Sequence, residues 1–346
     1  MRIGVFHETY QAEERLWDSR TARYWMLAFV LLWFCLPLFG SEYVLAMACI
    51  VGIHLVATTG LNITTGSAGL ISLSHAAFMG VGCYAIAWMS KWGVPFFITL
   101  PLAGLLTAAL GLLVGLPSLR VKGIYFAIAT LAAHFILTFL FRELVPITGG
   151  VSGINIERPS AFGLVLTGDR QVFYLIYACV FLLGLAAANL GRTYLGRAMV
   201  AVRDRDISAE ILGVNLLRTK LMASAIGSFY AGVAGGLLGY LYGAITPDYF
   251  AFSLSIFYLA AIIVGGLGRM LGSVLGALFM TFVPEVLRLI SQVGVNYWPV
   301  IGKLLLPMGQ VVFGLLIIGF LIAEPHGLAQ IWARVRRSFH LWPFKT

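Results

Sequence analysis

Ten runs of mostly apolar residues alternate along the chain with short polar segments, many of them basic. A helix that crosses a bilayer needs about 20 predominantly apolar residues, and most of these runs have roughly that length. The run at 25–40 and the last run are short, and the third is entered through a polar, Gly-rich stretch. The pattern predicts about ten transmembrane helices, at 25–40, 43–59, 76–91, 95–116, 123–141, 171–190, 219–243, 253–268, 271–290 and 307–323.

The composition supports a membrane location for most of the chain. Hydrophobic residues make up 60% of its 346 residues and charged residues only 11%, a balance that a soluble protein cannot bury. We therefore expect an all-α, polytopic membrane protein. Its expected organisation is an N-terminal cytoplasmic segment at 1–24, a transmembrane domain at 25–323 and a basic cytoplasmic tail at 324–346.

Basic residues are distributed unevenly between the two sides of these spans. With the N-terminus inside, 17 of the 23 Lys and Arg residues fall on the cytoplasmic side, the bias that is typical of cytoplasmic loops. Both termini and the loop at 191–220 are therefore predicted to be cytoplasmic. The first apolar run leads into a second span, so a cleaved signal peptide is not expected. Because no basic patch is interleaved with polar or aromatic residues, the net charge of +9 does not predict nucleic-acid binding.

The densest charge cluster of the chain lies in that loop, in the stretch AVRDRDISAEILGVN at 201–215. As one helix, it places Ile207, Ile211 and Val214 on a narrow apolar stripe, with Ala209 and Leu212 roughly opposite. A helix that lies on a bilayer needs one broad apolar face, so the pattern favours a helix held by protein on two sides. An ordinary solvated loop is the alternative that the pattern leaves open.

The charges of this stretch also have helical spacing. Arg203, Asp206 and Glu210 fall in one sector, where Asp206 and Glu210 form an i, i+4 pair of like charge. Such a pair costs roughly 0.2–0.5 kcal/mol in an isolated helix, and either Arg203 or a basic partner surface would relieve it. Gly213 followed by Asn215 predicts the end of the helix.

The segment GRTYLGRA at 191–198 resembles the phosphate-binding pattern GxxxxGK[ST] but lacks its chemistry. Arg197 replaces the lysine, Ala198 supplies no hydroxyl for magnesium, and a membrane span rather than a β-strand precedes the segment. We therefore predict that the chain has no nucleotide site of its own, binds no cofactor and is not an enzyme.

No metal or proton-carrying site is predicted inside the spans. His54, His75 and His134 lie in separate apolar runs without metal-ligand spacing, and the four Cys residues show neither CxxC spacing nor a disulfide framework. A proton-coupled carrier usually has an ionisable group at membrane depth, which argues against such a carrier here. The acidic residues within or at the ends of spans all lie near predicted interfaces: Glu42, Glu143, Glu285 and Glu324.

A second informative stretch is GLNITTGSAGLISLSHAAFMGVGCY at 60–84. Its first half is polar and Gly-rich, and irregular backbone at membrane depth is tolerated only where it is buried in protein or lines a wet cavity. Ser74 is also a candidate cap for the helix that follows. The alternative is a buried kink whose polar groups are satisfied by neighbouring helices. The candidate residues of a translocation path are Asn62, Thr65, Ser72, Ser74 and His75, with Thr64 and Ser67 beside them.

Glycines at four-residue spacing predict close helix packing, because the missing side chains let helix backbones approach each other. The packing partner is either a helix of this chain or a second membrane subunit. The two sets are Gly235, Gly239 and Gly243, and Gly268, Gly272 and Gly276.

Seven motifs follow one another in order along the chain: GLISLSHAAFMGVGCY (69–84), LRVKGIYFAIATL (119–131), ITGGVSGI (147–154), GRAMVAVRDRDISAEILGVN (196–215), AGVAGGLLGYL (231–241), SIFYLAAIIVGGLGRMLGSVLGA (255–277) and EPHGLAQIW (324–332). Together they resemble the motifs of permease subunits of branched-chain amino-acid ABC importers, of the LivM type, and the similarity runs from about 45 to 328. Four positions differ from the residues more common in that family, which are glutamine, glycine, threonine and proline where this chain has Leu70, Ser74, Arg269 and Ser273.

The resemblance implies a type II-like importer permease of the bacterial inner membrane that translocates branched-chain or related amino acids. It implies a second homologous permease subunit in a heterodimer, two ATPase subunits that use ATP and magnesium, and an extracytoplasmic substrate-binding protein facing the loop at 148–163. It also identifies the helix within 201–215 as a coupling helix that docks on the ATPase. The residues implied in coupling are Arg203, Asp206, Ile207, Glu210, Ile211 and Gly213.

Two further functions stay open at this point. Relatives of the same family carry urea, short amides or aromatic acids, so the family alone does not fix the substrate. The alternative from another class is a secondary carrier or channel that works without ATP, with 201–215 as a solvated loop. Such a carrier would purify alone in mild detergent and transport without ATP.

Overall fold

Long apolar helices make up most of the structure, which is a computed structural model. It describes residues 24, 33–38, 40–116, 124–161, 164–166, 168–297, 299–324 and 327–341. Residues 33–38 are helical. The α-helices after them are α1 Glu42–Leu61, α2 His75–Lys91, α3 Phe96–Gly115, α4 Ile124–Glu143, α5 Val145–Thr148, α6 Asp169–Leu190, α7 Tyr194–Asp204, α8 Asp206–Ile211, α9 Leu216–Tyr242, α10 Phe252–Gly265, α11 Met270–Tyr297, α12 Pro299–Ala323 and α13 Leu328–Leu341.

The apolar runs fold as predicted, with boundaries that differ by a few residues in most cases. Nine of the ten expected spans correspond to one long helix each, while the span expected at 25–40 lies mostly outside the described residues. Within the described residues, seven helices are long and apolar enough to cross a membrane, or eight if the bent pair Val311–Ala323 and Leu328–Val335 forms one span. The fold is therefore an all-α polytopic membrane protein, and the count of ten and the side of the termini stay predictions.

Helix α9 forms the centre of the bundle and packs against α1, α2 and α3. The Ser224 hydroxyl of α9 donates to the carbonyl of Gly111 in α3 at 2.9 Å, and the Tyr240 and Thr99 hydroxyls of the same two helices lie 2.7 Å apart. Each bond satisfies a polar group that would otherwise be buried without a partner. These bonds fix the register of the two helices.

Close packing at the predicted glycines takes place within this chain. A Cβ at Gly235 of α9 would collide with the Met79 carbonyl of α2, and one at Gly276 of α11 with the Ala261 carbonyl of α10. The expectation is wrong for Gly243, which ends α9 with φ of 69° and has no atom within 4 Å of a Cβ position. Gly268 lies in the turn after α10 with φ of 73°. Spacing alone does not separate a packing glycine from a helix-ending one.

The segment between α5 and α6 contains short strands that the all-α expectation did not include. A 3-10 turn, Gly150–Ser152, leads into β1 Ile154–Asn155, which pairs antiparallel with β4 Ala244–Ile245 after α9. The short hairpin of β2 Ser160–Ala161 and β3 Leu164–Val165 follows β1. A second 3-10 turn, Pro247–Phe250, connects β4 to α10. The β1–β4 pair ties two loops together at the end of the bundle predicted to face outward.

The basic tail predicted at 324–346 contains a helix, α13, which contacts α10 and α11. Ala329 is buried against the bundle, and the Arg269 guanidinium donates to the Gln330 side chain at 2.7 Å. The Arg334 guanidinium forms an ion pair with Glu324 at 2.8 Å. The described part of the tail is therefore attached to the same end of the bundle as Arg269.

Candidate functional site

The loop at 191–220 forms two helices, α7 and α8, instead of the single helix expected for 201–215. The break is at Arg205, whose backbone is extended with φ of −154° and ψ of 99°. The Asp206 carboxylate accepts a hydrogen bond from the N–H of Ile207 at 2.9 Å. An acidic residue in a first turn is favoured by the helix dipole, which supports a new helix start at this residue. The expectation of one continuous helix is wrong.

Helix α8 ends at Gly213 as predicted. Gly213 has φ of 86°, its N–H donates to the Glu210 carbonyl at 2.9 Å, and the N–H of Val214 donates to the Ala209 carbonyl at 3.0 Å. These two bonds form the Schellman motif that commonly ends helices at glycine. Asn215 belongs to the next element, because its side chain accepts from the N–H of Arg218 at 2.9 Å and caps α9.

Helix α8 has one buried and one exposed side. Ala209 is 2% exposed, whereas Ile207, Ile211 and Leu212 are 63%, 81% and 84% exposed. Leu212 therefore lies on the outer side with Ile207 and Ile211, and its predicted place beside Ala209 is wrong, since the chain turns away at the end of the helix. Exposed apolar surface of this kind marks interaction sites. Ala209 therefore packs against this chain, and the side with Ile207 and Ile211 is exposed among the described residues.

Arg203 is separated from the charges of α8. It lies in the last turn of α7, where its Nε donates to the Asp204 carboxylate at 2.9 Å and its Nη1 to the carbonyl of Gly66 at 2.7 Å. The break at Arg205 thus removes Arg203 from the sector of Asp206 and Glu210, contrary to the expectation from a continuous helix. Its Nη1 faces the bundle, although its side chain is 34% exposed. Its described partners are Asp204 and Gly66.

The polar stretch after α1 continues as a helix, although the sequence predicted that the span ends near residue 59. Residues Asn62–Ser67 form a π-helical segment. The Asn62 amide nitrogen donates to the Arg269 carbonyl at 2.9 Å and to the Ser273 hydroxyl at 2.8 Å, and its oxygen accepts from the N–H of Gly268 at 2.8 Å. π-Helical turns occur frequently at functional sites. Here the polar side chain of Asn62 is satisfied by groups of the turn between α10 and α11 and the start of α11, so the π-helical segment can be both polar and buried.

The other candidate path residues are also buried. The Thr65 hydroxyl donates to the Leu70 carbonyl at 3.0 Å, and the Ser72 and Ser74 hydroxyls lie 3.4 Å apart. Ser74 precedes α2, but its side chain makes no capping hydrogen bond to that helix. The stretch at 62–74 therefore folds back on itself as a compact polar segment beside α9 and α10.

His75 begins α2 and is 2% exposed. Its ring lies edge-on to Tyr258 of α10, with centroids 5.5 Å apart, and its Nε2 has no hydrogen-bond partner among the residues that the structure describes. The N–H of Ala76 donates to the Ser255 hydroxyl at 3.0 Å, and the N–H of Leu73 donates to the Thr130 hydroxyl at 3.0 Å. Ser255 and Thr130, which sequence reasoning missed, therefore complete the polar cluster around the start of α2.

Ser255 and Thr130 were missed because single hydroxyls in apolar runs give no sequence signal. His75 and His134 are buried, as expected of core histidines, and His54 is half-buried with its Nδ1 2.8 Å from the Thr281 hydroxyl. Within the described residues, no cluster of three or more His, Cys, Asp or Glu side chains is arranged to hold a metal ion.

These features define a multi-pass α-helical membrane protein with an exposed two-helix element at one end of its bundle. The chain belongs to the family described as branched-chain amino acid transport system / permease component, whose profile matches residues 43–321. Proteins of this family are membrane permease subunits of ABC importers. The resemblance expected from the seven motifs is confirmed.

Three curated relatives illustrate the match. The high-affinity branched-chain amino acid transport system permease protein LivM of Escherichia coli is 33% identical over 288 residues, covering 76% of this chain and 68% of the relative. LivM of Salmonella typhimurium is 34% identical over 277 residues, or 73% and 65% of the two chains. The probable branched-chain amino acid transport permease protein LivH of Methanocaldococcus jannaschii is 26% identical over 291 residues, or 80% and 89%.

The chain spans about two thirds of the length of the two LivM proteins. No solved structure matches it significantly.

Proposed function

We propose that this chain is the subunit through which an ATP-driven importer moves branched-chain or related amino acids across the bacterial inner membrane. The observation that carries the proposal is the exposed apolar side of α8, formed by Ile207, Ile211 and Leu212, in a chain of the permease family. Water-exposed leucine and isoleucine side chains grouped on one short helix are stabilised by a protein partner. An ATPase subunit is the partner that this family requires.

Four further proteins complete the proposed importer: a second homologous permease, two ATPase subunits and an extracytoplasmic substrate-binding protein. Relatives named LivM and LivH both resemble this chain, which supports pairing with a related but different permease. The ATPase subunits would use ATP and magnesium, and this chain would contribute no nucleotide site. The loop at 148–163 would face the binding protein.

In the proposed coupling mechanism, α8 docks in a groove of the ATPase. Ile207 and Ile211 supply the apolar contact, and Asp206 and Glu210 complement a basic surface. Gly213 stops the helix and turns the chain into α9, so that movement of α8 reaches the centre of the bundle directly. An ABC transporter of this kind alternates the access of a cavity between its two permease subunits.

The segment at 62–75 is proposed to line the translocation path. Asn62 and Thr65 form its scaffold, since their side chains bond to backbone. Ser72, Ser74 and His75 supply polar groups, among them the unpartnered His75 Nε2. Free hydrogen-bonding capacity in a buried polar cluster suits transient contact with a zwitterionic solute.

Uptake by the complete complex in proteoliposomes tests the function. Leucine uptake that requires ATP and the binding protein is the expected result, and urea and an aromatic amino acid serve as comparison substrates. ATP-driven uptake of urea or of the aromatic amino acid in place of leucine would support the importer function but contradict the proposed substrate. Purification of the chain alone in mild detergent, followed by transport without ATP, would instead support a secondary carrier.

A further inference from the structure

Helix α7 is anchored to the bundle along one side. Ala198, Met199 and Val202 are at most 5% exposed on this side, and α7 contacts both α9 and the π-helical segment. Met199 is fully buried. Because interiors are closely packed and transmit displacement, α7 is positioned to move as one body with what it touches. The contact with the π-helical segment is made at its last turn, next to the break that starts α8.

Arg203 forms the polar part of that contact. Its Nη1 donates to the carbonyl of Gly66 at 2.7 Å, in the last turn of the π-helical segment, where carbonyls lack partners within the helix. A cation at the end of a helix also complements its negative pole. Its Nε bonds to Asp204 at 2.9 Å, which fixes the guanidinium plane so that Nη1 faces Gly66.

Two glycines leave room for the Arg203 side chain to lie against the backbone. Gly69 has φ of 72°, and a Cβ there would lie 2.9 Å from the Arg203 Cγ. Gly268 has φ of 73°, and a Cβ there would collide with Nη1. Side chains at either position would displace the arginine. Two loops that are distant in sequence therefore leave the space that Arg203 fills.

Beyond Gly66, the contact continues into the bundle. Asn62, one turn earlier in the same segment, bonds to Gly268, Arg269 and Ser273. A displacement of Arg203 is thereby passed to the π-helical segment and to the turn between α10 and α11. The π-helical segment is bonded to the polar cluster at 72–75 through the Thr65 hydroxyl, which donates to the Leu70 carbonyl and accepts from the N–H of Ser72. The turn lies at the end of α10, the helix that carries Ser255 in its first turn.

We propose that Arg203 is a positioning residue that links movement of the ATPase-facing helix α8 to the segment at 62–75, and that it is not itself an ATPase contact. This inference rests on the proposed function. It changes the role that family resemblance gave to Arg203, from a docking residue to an internal link. A guanidinium is suited to the role because its fixed fork holds Asp204 and Gly66 at the same time.

Arg203→Ala and Arg203→Lys in the complete complex test this link. Arg197→Ala is the matched control, because it removes the same charge from α7 while the Arg197 guanidinium bonds to Arg192 in its own loop. We expect both Arg203 variants to copurify with the ATPase and to hydrolyse ATP. Leucine uptake per ATP should fall about tenfold in Arg203→Ala, within the usual range of coupling effects, fall less in Arg203→Lys, and stay unchanged in Arg197→Ala.

Hydrogen exchange in the same complexes supplies a readout that a purely structural role would not change. A non-hydrolysable ATP analogue should alter exchange at 62–72 and at 206–213 in the wild type. In Arg203→Ala the response at 62–72 should be lost while that at 206–213 persists. An unchanged response at 62–72, or equal uptake per ATP in Arg203→Ala and Arg197→Ala, would overturn the proposal.

Loss of ATPase association in both Arg203 variants would also overturn it, because Arg203 would then be a docking or folding residue. The outcome is separable from that of the proposed function. Wild-type complex that fails to take up leucine would contradict the proposed substrate, whereas the exchange measurement needs no substrate and continues to test the link.

Discussion

The side-chain oxygen of Asn62 accepts a hydrogen bond from the backbone N–H of Gly268, 206 positions later in the chain, at 2.8 Å. The amide nitrogen of the same side chain donates to the Arg269 carbonyl and to the Ser273 hydroxyl. One buried side chain thus joins the π-helical segment to the turn between α10 and α11, with both donor hydrogens in use.

Asn62→Asp should destabilise the protein although the two side chains have nearly the same shape. The carboxylate can still accept from Gly268, but its second oxygen would face the Arg269 carbonyl, an acceptor against an acceptor. An unsatisfied or repelled buried polar group costs about 1–3 kcal/mol, which thermal unfolding of the purified protein in detergent would detect. Thr59→Ala is the control, since the Thr59 hydroxyl donates within α1 to the Leu55 carbonyl at 2.6 Å. Equal losses in both variants would contradict the role of Asn62.

Glu210→Arg should weaken association with the ATPase or uncouple ATP hydrolysis from uptake, while membrane insertion stays intact. The substitution reverses the charge on α8 next to its exposed apolar side, without touching a described contact inside the bundle. Copurification from membranes and uptake per ATP measure the effect. Glu157→Arg makes the same charge change in the loop predicted to lie outside, away from the ATPase, and should leave copurification of the ATPase unchanged. If Glu210→Arg copurifies with the ATPase and takes up substrate like the wild type, the proposal that α8 contacts the ATPase is wrong.

Leu212→Asp tests the apolar part of the same surface. Leu212 is 84% exposed, so the change should leave the free energy of unfolding of the isolated subunit within about 0.5 kcal/mol of wild type. Burial against a partner would make the aspartate costly, and copurified ATPase should fall at least about tenfold. A variant that loses stability but keeps its ATPase would show that α8 packs against this chain instead.

Gly235→Ala should destabilise the bundle, because its Cβ would collide with the backbone of Met79 in α2. Overpacking of this kind costs about 1–3 kcal/mol. Gly314→Ala in α12 is the matched control: a Cβ at Gly314 meets no atom within 4 Å, so the better helix propensity of alanine makes it neutral or slightly stabilising. Melting curves of the two variants should differ in sign or at least in size, and equal losses would contradict the close α2–α9 contact.

Ser74→Ala distinguishes the two interpretations of the polar stretch, a translocation path and a buried kink. A path residue contacts the solute only during translocation, so the variant should slow maximal uptake while the affinity of the binding protein stays the same. A kink residue would lower the melting temperature and leave the uptake rate per folded complex unchanged. Ser90→Ala, whose hydroxyl bonds within α2 to the Ala87 carbonyl, controls for loss of a buried hydroxyl.

Most of the helical fold could be predicted from the sequence. When an apolar run of about 20 residues forms a helix, its backbone groups bond to each other and its apolar side chains can face lipid. Each run therefore specifies its helix locally. Gly213 is local as well, since a helix stop requires only a residue that tolerates φ near 86° and two backbone bonds to the preceding turn. The exposed apolar side of α8 follows in part, because Ile207 and Ile211 are one turn apart.

The contacts that define the candidate site were decided by tertiary structure. Helical spacing placed Arg203 with Asp206 and Glu210, but the Gly66 carbonyl, 137 positions away, and the neighbouring Asp204 hold its guanidinium instead. The partners of Asn62 and the role of Ser255 likewise depend on which helices become neighbours. Sequence periodicity describes one helix at a time. A buried polar group, however, bonds to whichever neighbouring group the packing of the helices places within about 3 Å of it. The sequence by itself therefore determined the helices and the family, and only packing decided that Arg203 bonds to the bundle while Ile207, Ile211 and Leu212 stay exposed.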